Sequence, residues 1–273
     1  MPNIIEFGKT SDKGLVRTSN EDNLVTSELS VESSSGSKVV RLYAVADGMG
    51  GLDNGEIASQ IALKTLIETL MSSLVLSELH VNIDSEDPES MQNLLGDAVQ
   101  DANVKVFELG QKEKKGVGTT LTALLLVNSM AVIANVGDSR IYLLREGTFQ
   151  QVTVDHSLVA KLVTTGELKL EEIYSYPYRN IVTRFLGMEP EIEADLFSRK
   201  IKSEDVFLLC SDGLWEMIRN DQIQKILEEA ETPQTACEQL VQIANLNGGA
   251  DNISVIVVKV RESGTRIEEN TKK

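Results

Sequence analysis

Four aspartates in this chain sit where a short apolar run ends or begins, and acids placed that way can do chemistry together. Asp47 follows 42–46 in YAVADGMGG, Asp138 follows 131–136 in ANVGDSR, Asp212 follows 206–210 in FLLCSDGLW, and Asp251 precedes 253–258 in GGADNISVIVV. Taken singly, Asp-Gly at 47–48 or 212–213 is a common hairpin signal, and Asp138-Ser139 and Asp251-Asn252 are ordinary turn or cap residues. As a set they differ, because the Asp-Gly steps end the most apolar runs. In an antiparallel sheet the end of one strand lies beside the start of its neighbour, so these acids can gather on one edge. Glu21 and Asp22, in RTSNED, are placed to join them. Two carboxylates about 4 Å apart repel by about 4 kcal/mol at an effective dielectric of about 20. A cluster of them requires protonation or cations.

All-oxygen ligands with no nearby Cys or His pair favour magnesium or manganese over zinc. Two such ions can share a water, lower its pKa and make a nucleophile for phosphoryl or acyl chemistry. Gly48 would let a main-chain carbonyl turn in as a ligand, and Gly50-Gly51 would allow close backbone approach. Arg17, four residues before Glu21, would be solvated surface if it stood alone. Beside an ion-bound water it is a natural fork for two phosphate oxygens. Arg140 reads as the structural partner of a buried acid. His80 reads as exposed in a polar connector, and His156, in VDHS, as a hydrogen-bonded turn residue rather than a metal ligand or base. The chain carries no EF-hand loop and no P-loop, and GMGG is not a dinucleotide fingerprint. No Ser-His-Asp or Cys-His nucleophile arrangement stands out.

These residues need elements to position them. Apolar spacing of three and four predicts helices over about 54–79 and 90–109, joined by a polar connector at 80–89 that contains Pro88. Two more helices are predicted at about 221–230 and 233–246, the latter with Pro233 in its first turn. Short apolar or β-branched runs predict strands at 38–46, 119–127, 130–136, 140–144, 205–210 and 253–260. Asn128-Ser129 is a tight link and implies a hairpin. This order is α+β rather than the regular alternation of a doubly wound sheet, and two antiparallel sheets with helices outside fit it best. The stretch 157–188, with its Tyr-rich 174–178, reads as an irregular insertion over the main body. One domain is expected over 1–262, followed by a polar tail at 263–273.

Composition narrows the function further. The 273 residues include 26 Lys and Arg against 42 Asp and Glu, for a formal charge of −16. That balance disfavours nucleic-acid backbones and anionic lipid surfaces and suits cations. Apolar residues at 41% can fill a sizeable core, which aromatics at 4% make an aliphatic one. Two cysteines, Cys210 and Cys237, build no disulfide framework and read as buried small hydrophobes. Residues 1–10 lack the pattern of a targeting segment, and no apolar run reaches the roughly 20 residues of a membrane span. A soluble, cytoplasmic, monomeric protein is the expectation.

Eight blocks in order resemble the metal-dependent serine/threonine protein phosphatases of the type 2C class, in their bacterial form: GLVRTSNEDN (14–23), VADGMGG (45–51), GVGTTLTALLL (116–126), ANVGDSRIYLL (134–144), DHS (155–157), VTRFLG (182–187), SDGLW (211–215) and GGADNISVIVV (248–258). The resemblance implies a central β-sandwich flanked by pairs of helices, with a dinuclear Mn2+ or Mg2+ centre at one end. It implies that Asp47 bridges both ions, the Gly48 carbonyl binds one, and Asp212 and Asp251 complete the second. Glu21 looks like the acid that holds a metal-bound water, Asp138 matches the site of a weaker third ion, and Arg17 matches the phosphate-binding arginine. The stretch 157–188 looks like the flap of bacterial members. The implied activity is hydrolysis of phosphoserine and phosphothreonine in proteins by attack of a metal-bridging hydroxide, in a signalling role opposite a cognate kinase. One departure affects mechanism: where many eukaryotic members have a histidine after Asp-Gly, this chain has Met49, which cannot donate a proton to the leaving alcohol. Two other readings stay open. One is a phosphoprotein-binding regulator without catalysis, which the intact Asp47, Asp212 and Asp251 argue against; the other is a hydrolase of small phosphate esters.

Overall fold

The computed structural model describes residues 4–33, 36–50, 54–80, 87–113 and 116–261. Expectations at Gly51, in the connector at 81–86 and in the tail from 262 lie outside the described residues. One sheet has the order β1 (Ile4–Asp12), β11 (Ile253–Arg261), β10 (Val206–Cys210), β7 (Arg140–Arg145), β8 (Thr148–Gln151). The other runs β2 (Asp22–Ser33), β3 (Gly36–Met49), β5 (Leu121–Val127), β6 (Met130–Val136), β9 (Asp195–Lys200), with β4 (Gly118–Thr119) paired to the end of β3. The described strand pairs are antiparallel. Val127 pairs with Met130 across the predicted hairpin, whose Asn128 takes φ 52°.

The layers follow from which side chains each strand turns to each face. In β5, Leu121, Ala123, Leu125 and Val127 pack under α1 (Asn54–His80) and α2 (Pro88–Glu113), while Leu124 and Leu126 point between the sheets. In β10, Phe207 and Leu209 point between the sheets, and Val206, Leu208 and Cys210 pack under α5 (Asn220–Glu229) and α6 (Pro233–Leu246). The result is helix pair, sheet, sheet, helix pair. Strands covered on both faces read as continuous apolar runs, which is why the central strands were visible in the sequence.

The remaining helical pieces are α3 (Leu158–Thr164), a 3-10 turn at Leu170–Ser175, and α4 (Asp212–Trp215). The first two give the inserted stretch more regular structure than expected. Pro88 opens α2 instead of sitting in the connector, as a residue without an N–H can at a first helical position. Asp47 lies inside β3 rather than after it, and Asp212 begins α4 rather than a hairpin turn. Both cysteines are free and buried. No described helix is long and apolar enough to cross a membrane.

Candidate metal and phosphate site

Sheet pairing brings the acids together. Asp22 at the start of β2 is the register partner of Asp47 in β3. The Asp47 N–H donates to Thr120 Oγ1 (2.9 Å), and the Thr120 N–H donates back to the Asp47 carbonyl (2.9 Å). Thr120 Oγ1 also meets Ser139 Oγ at 2.8 Å, which ties Asp47 to the turn carrying Asp138. At Gly48 a Cβ would strike the Gly55 carbonyl, and at Gly213 one would strike the Asn252 carbonyl. Only glycine lets β3 meet the start of α1, and α4 press onto the start of β11. The second of these contacts sets Asp212 beside Asp251.

Together these elements close on a cavity of about 350 Å3. Arg17, Glu21, Asp47, Gly48, Asp138, Asp212 and Asp251 all line it, whereas Asp22, also expected to join the acids, sits behind the lining as the partner of Asp47. Met49, Gly50, Thr120, Asn252 and, from the inserted stretch, Asn180 and Val182 complete the lining. Arg17 NH2 donates to Asp251 Oδ2 at 2.6 Å and keeps 54% of its side chain exposed.

The electrostatics are those of like charges held out of water. Burial pushes Asp22 up to about 6 and Asp138 up to about 7. Burial, then repulsion by Asp22, Asp212, Asp138 and Asp251, holds Asp47 well above the ordinary carboxylate range. Asp212 is raised in the same way by burial, Asp138 and Asp251. The Arg17 guanidinium is raised by its bond to Asp251. Asp138 Oδ1 and Asp212 Oδ1 are buried and find no hydrogen-bond partner among the described residues. Orphaned acceptors of this kind are costly unless a ligand completes them. Among the described residues no three His, Cys, Asp or Glu side chains already close on one point as a cage; the acids ring the cavity instead. An all-oxygen ring with unpartnered carboxylate oxygens fits hard divalent cations.

A sequence profile of the family Protein phosphatase 2C matches residues 18–245. The chain belongs to the protein phosphatase 2C family. The serine/threonine phosphatase stp of Listeria monocytogenes is 36% identical over 91% of this chain and 93% of its own length. PstP of Mycobacterium tuberculosis is 34% identical over 94% of this chain and 45% of its own length. The crystal structure of that M. tuberculosis phosphatase superposes with a TM-score of 0.78 at 32% identity, covering 94% of this chain and 99% of the other. A crystal structure of the PstP catalytic domain in complex with two manganese ions gives a TM-score of 0.77 at 31% identity, covering 95% and 100%. The α+β sandwich expected from the 2C resemblance is the one found.

Several positioning residues were not singled out in the sequence. Asn252, expected as a plain turn residue, donates through Nδ2 to the Lys13 and Ser19 carbonyls (both 2.9 Å) and accepts from the Glu21 N–H (2.8 Å). It fastens the Arg17 loop to the start of β11. Ser211 Oγ donates to Asp22 Oδ2 at 2.7 Å. Trp215 Nε1 donates to the Asp138 carbonyl at 3.0 Å, and Arg140 stacks over its ring at 3.6 Å. Arg140 itself grips Asp155 at 2.6 Å, the structural partnership expected of it.

Proposed function

We propose that this chain is a metal-dependent phosphatase acting on phosphoserine and phosphothreonine in proteins. The observation that carries the reading is the convergence of Arg17 with five acids on one cavity, two of whose carboxylate oxygens are buried and unpartnered. Asp47, the Gly48 carbonyl, Asp212 and Asp251 would hold two Mn2+ or Mg2+ ions, with Glu21 beside them and Asp138 serving a weaker third. When bound, such ions supply a water of lowered pKa and positive charge facing the phosphate oxygens.

The chain's own residues do the rest. Arg17, reaching the cavity from an exposed loop, takes two oxygens of the phosphoryl group in its fork and offsets their charge as the P–O bond to the substrate alcohol breaks. Water oxygen ends on phosphorus, the alcohol oxygen leaves with the bonding pair, and the products are inorganic phosphate and the free hydroxyl side chain. Met49 faces the cavity with no proton to give, so it is not the group that protonates the leaving oxygen. Asn252 keeps Arg17 and Asp251 in register for this work.

The names and folds of the relatives support a protein substrate over a small phosphate ester. A monomeric, cytoplasmic signalling enzyme that opposes a serine/threonine kinase fits the acidic composition, which gives no foothold for nucleic acid or anionic membrane. Purified protein is expected to release phosphate from a phosphothreonine peptide with added Mn2+ and to stop in EDTA. Full turnover in EDTA removes the metal-based reading. Peptide binding without phosphate release favours the regulator, and release from p-nitrophenyl phosphate alone favours the small-ester hydrolase.

A further inference from the structure

His156 lies outside the cavity lining, yet its ring and main chain together join the Asp138 turn to the inserted stretch. The ring Nδ1 accepts the Gly137 N–H at 3.0 Å, and the His156 main-chain N–H donates to the Gly137 carbonyl at 2.9 Å. Gly137 immediately precedes Asp138. On the other side the His156 carbonyl accepts the Thr183 N–H at 2.7 Å, and Ser157 bridges Val182, one of the cavity-lining residues. The ring's far nitrogen, Nε2, lies 3.2 Å from Asp195 Oδ2 on β9 and 3.0 Å from Arg184 NH1.

The tautomer follows from these contacts. A backbone N–H can only donate, so Nδ1 must be the bare nitrogen and Nε2 must carry the hydrogen. That hydrogen is directed to Asp195. Arg184, also a donor only, directs NH1 to Asp195 Oδ1 (2.8 Å) and the Glu193 carbonyl (3.1 Å). Burial and then the Arg184 charge lower the His156 pKa against the raising effect of Asp195, in keeping with a bare Nδ1 that accepts.

We propose that His156 is a positioning residue, a joint whose ring ties the Asp138 turn to Arg184 and Asp195 while its main-chain carbonyl holds Thr183, so that the acid turn and the 180–184 segment hang from one residue. The joint makes the placement of an acid on the cavity wall depend on the placement of the segment that roofs it. This inference rests on the reading of Asp138 as a site acid.

Two substitutions separate the joint from mere packing. His156→Phe keeps a ring and removes both nitrogens, whereas His156→Asn offers an oxygen near the position of Nδ1. Hydrogen exchange of the Gly137 amide in the metal-free protein, and KM and kcat on a phosphothreonine peptide with Mn2+, are the readouts. Loss of one hydrogen bond with a buried donor left unmet predicts at least about tenfold faster Gly137 exchange in His156→Phe. The phosphopeptide KM is expected to rise by a similar factor, and His156→Asn to restore most of both. Wild-type exchange and KM in His156→Phe, or equal impairment in the two variants, overturns the proposal. Should His156→Phe fail to fold, Asp195→Ala on the half-exposed edge strand removes the acceptor that fixes the tautomer. It is expected to shift both readouts in the same direction by less, and wild-type values there overturn the proposal equally. A wild-type protein that releases no phosphate overturns the functional reading instead, while Gly137 exchange in the metal-free variants still decides the joint.

Discussion

Between the sheets, Leu124, Ile133, Ile141, Phe207 and Ile256 are shut away from water and need no partner. At one end of the same sandwich, Asp22, Asp47, Asp138 and Asp212 are crowded into protein with their pKa values pushed upward and with Asp22 Oδ1, Asp138 Oδ1 and Asp212 Oδ1 unpartnered. The first region stabilises the fold through apolar area, about 1.5–3 kcal/mol for each large side chain fully buried. The second works against the fold, since each buried carboxylate must either keep its proton or face its neighbours. What the contrast teaches is that the sandwich core carries a site the chain would not keep for stability alone.

The sharpest way to break the contrast is to exchange the signs of the two regions. Phe207→Ala in the sandwich core is expected to lose about 3–5 kcal/mol of stability, with activity per folded molecule largely kept. Asp212→Asn is expected to do the reverse, lowering phosphate release about 10²–10³-fold while raising the melting temperature of the metal-free protein. Thermal melts in EDTA paired with peptide turnover in Mn2+ read both. An Asp212→Asn protein that is active, or that is destabilised without metal, would put the two regions on the same footing.

Proton linkage gives a gentler test. A carboxyl whose folded pKa lies above its unfolded value of about 4 binds its proton more tightly in the folded chain. With Asp22 near 6, Asp138 near 7, and Asp47 and Asp212 raised as well, the stability these protons give is present below about pH 4. It is lost as pH rises through 6 and 7. The EDTA-treated protein is therefore expected to melt at least about 3 °C lower at pH 8 than at pH 5.5. Saturating Mn2+ should shrink that difference. A metal-free melting temperature that climbs with pH across this window would contradict the assignment.

The same contrast explains what could be read in advance. The central strands β3, β5, β6, β7, β10 and β11 were legible because two covered faces leave long apolar runs. The strands missed were β1, β2, β8 and β9, which are the four outer strands of the two sheets. In β1 and β8 nearly all residues are exposed or half-buried, and polar side chains such as Lys9 and Gln150 break up any apolar run. The acids were legible because a carboxylate ending an apolar run conflicts with its surroundings. Asn252, Ser211 and Thr120 were not, since a polar residue at a turn shows nothing until its partners arrive from far along the chain; Asn252 grips a carbonyl 239 positions away.

Arg17 separates phosphate capture from ion holding. Its guanidinium is exposed and already paired with Asp251, so its removal leaves the buried acids in place. Arg17→Ala is expected to raise the KM for a phosphothreonine peptide about 10–100-fold, the worth of a charge-assisted hydrogen bond. The Mn2+ concentration for half-maximal activity should move far less. Arg17→Lys should recover only part, because a point charge does not reproduce a planar fork. Equal losses in phosphopeptide and Mn2+ affinity would mean that Arg17 acts through Asp251 rather than on substrate.

The smallest effect is expected where the two regions meet. Trp215 is fully buried in the apolar layer under α5 and α6, yet its indole N–H donates to the Asp138 carbonyl and its face carries Arg140. Trp215→Phe keeps most of the apolar volume and a ring for Arg140 and removes only the donor. The Asp138 carbonyl then loses one neutral hydrogen bond, about 1 kcal/mol, so a melting temperature lower by about 2–4 °C is expected for a chain of this length. Because the turn that carries Asp138 stays anchored through Ser139 on Thr120, turnover should fall by no more than about fivefold. A loss as large as that of Asp212→Asn, with the melt unchanged, would show that the indole belongs to the chemistry and that the boundary between the regions lies one layer deeper than the cavity wall.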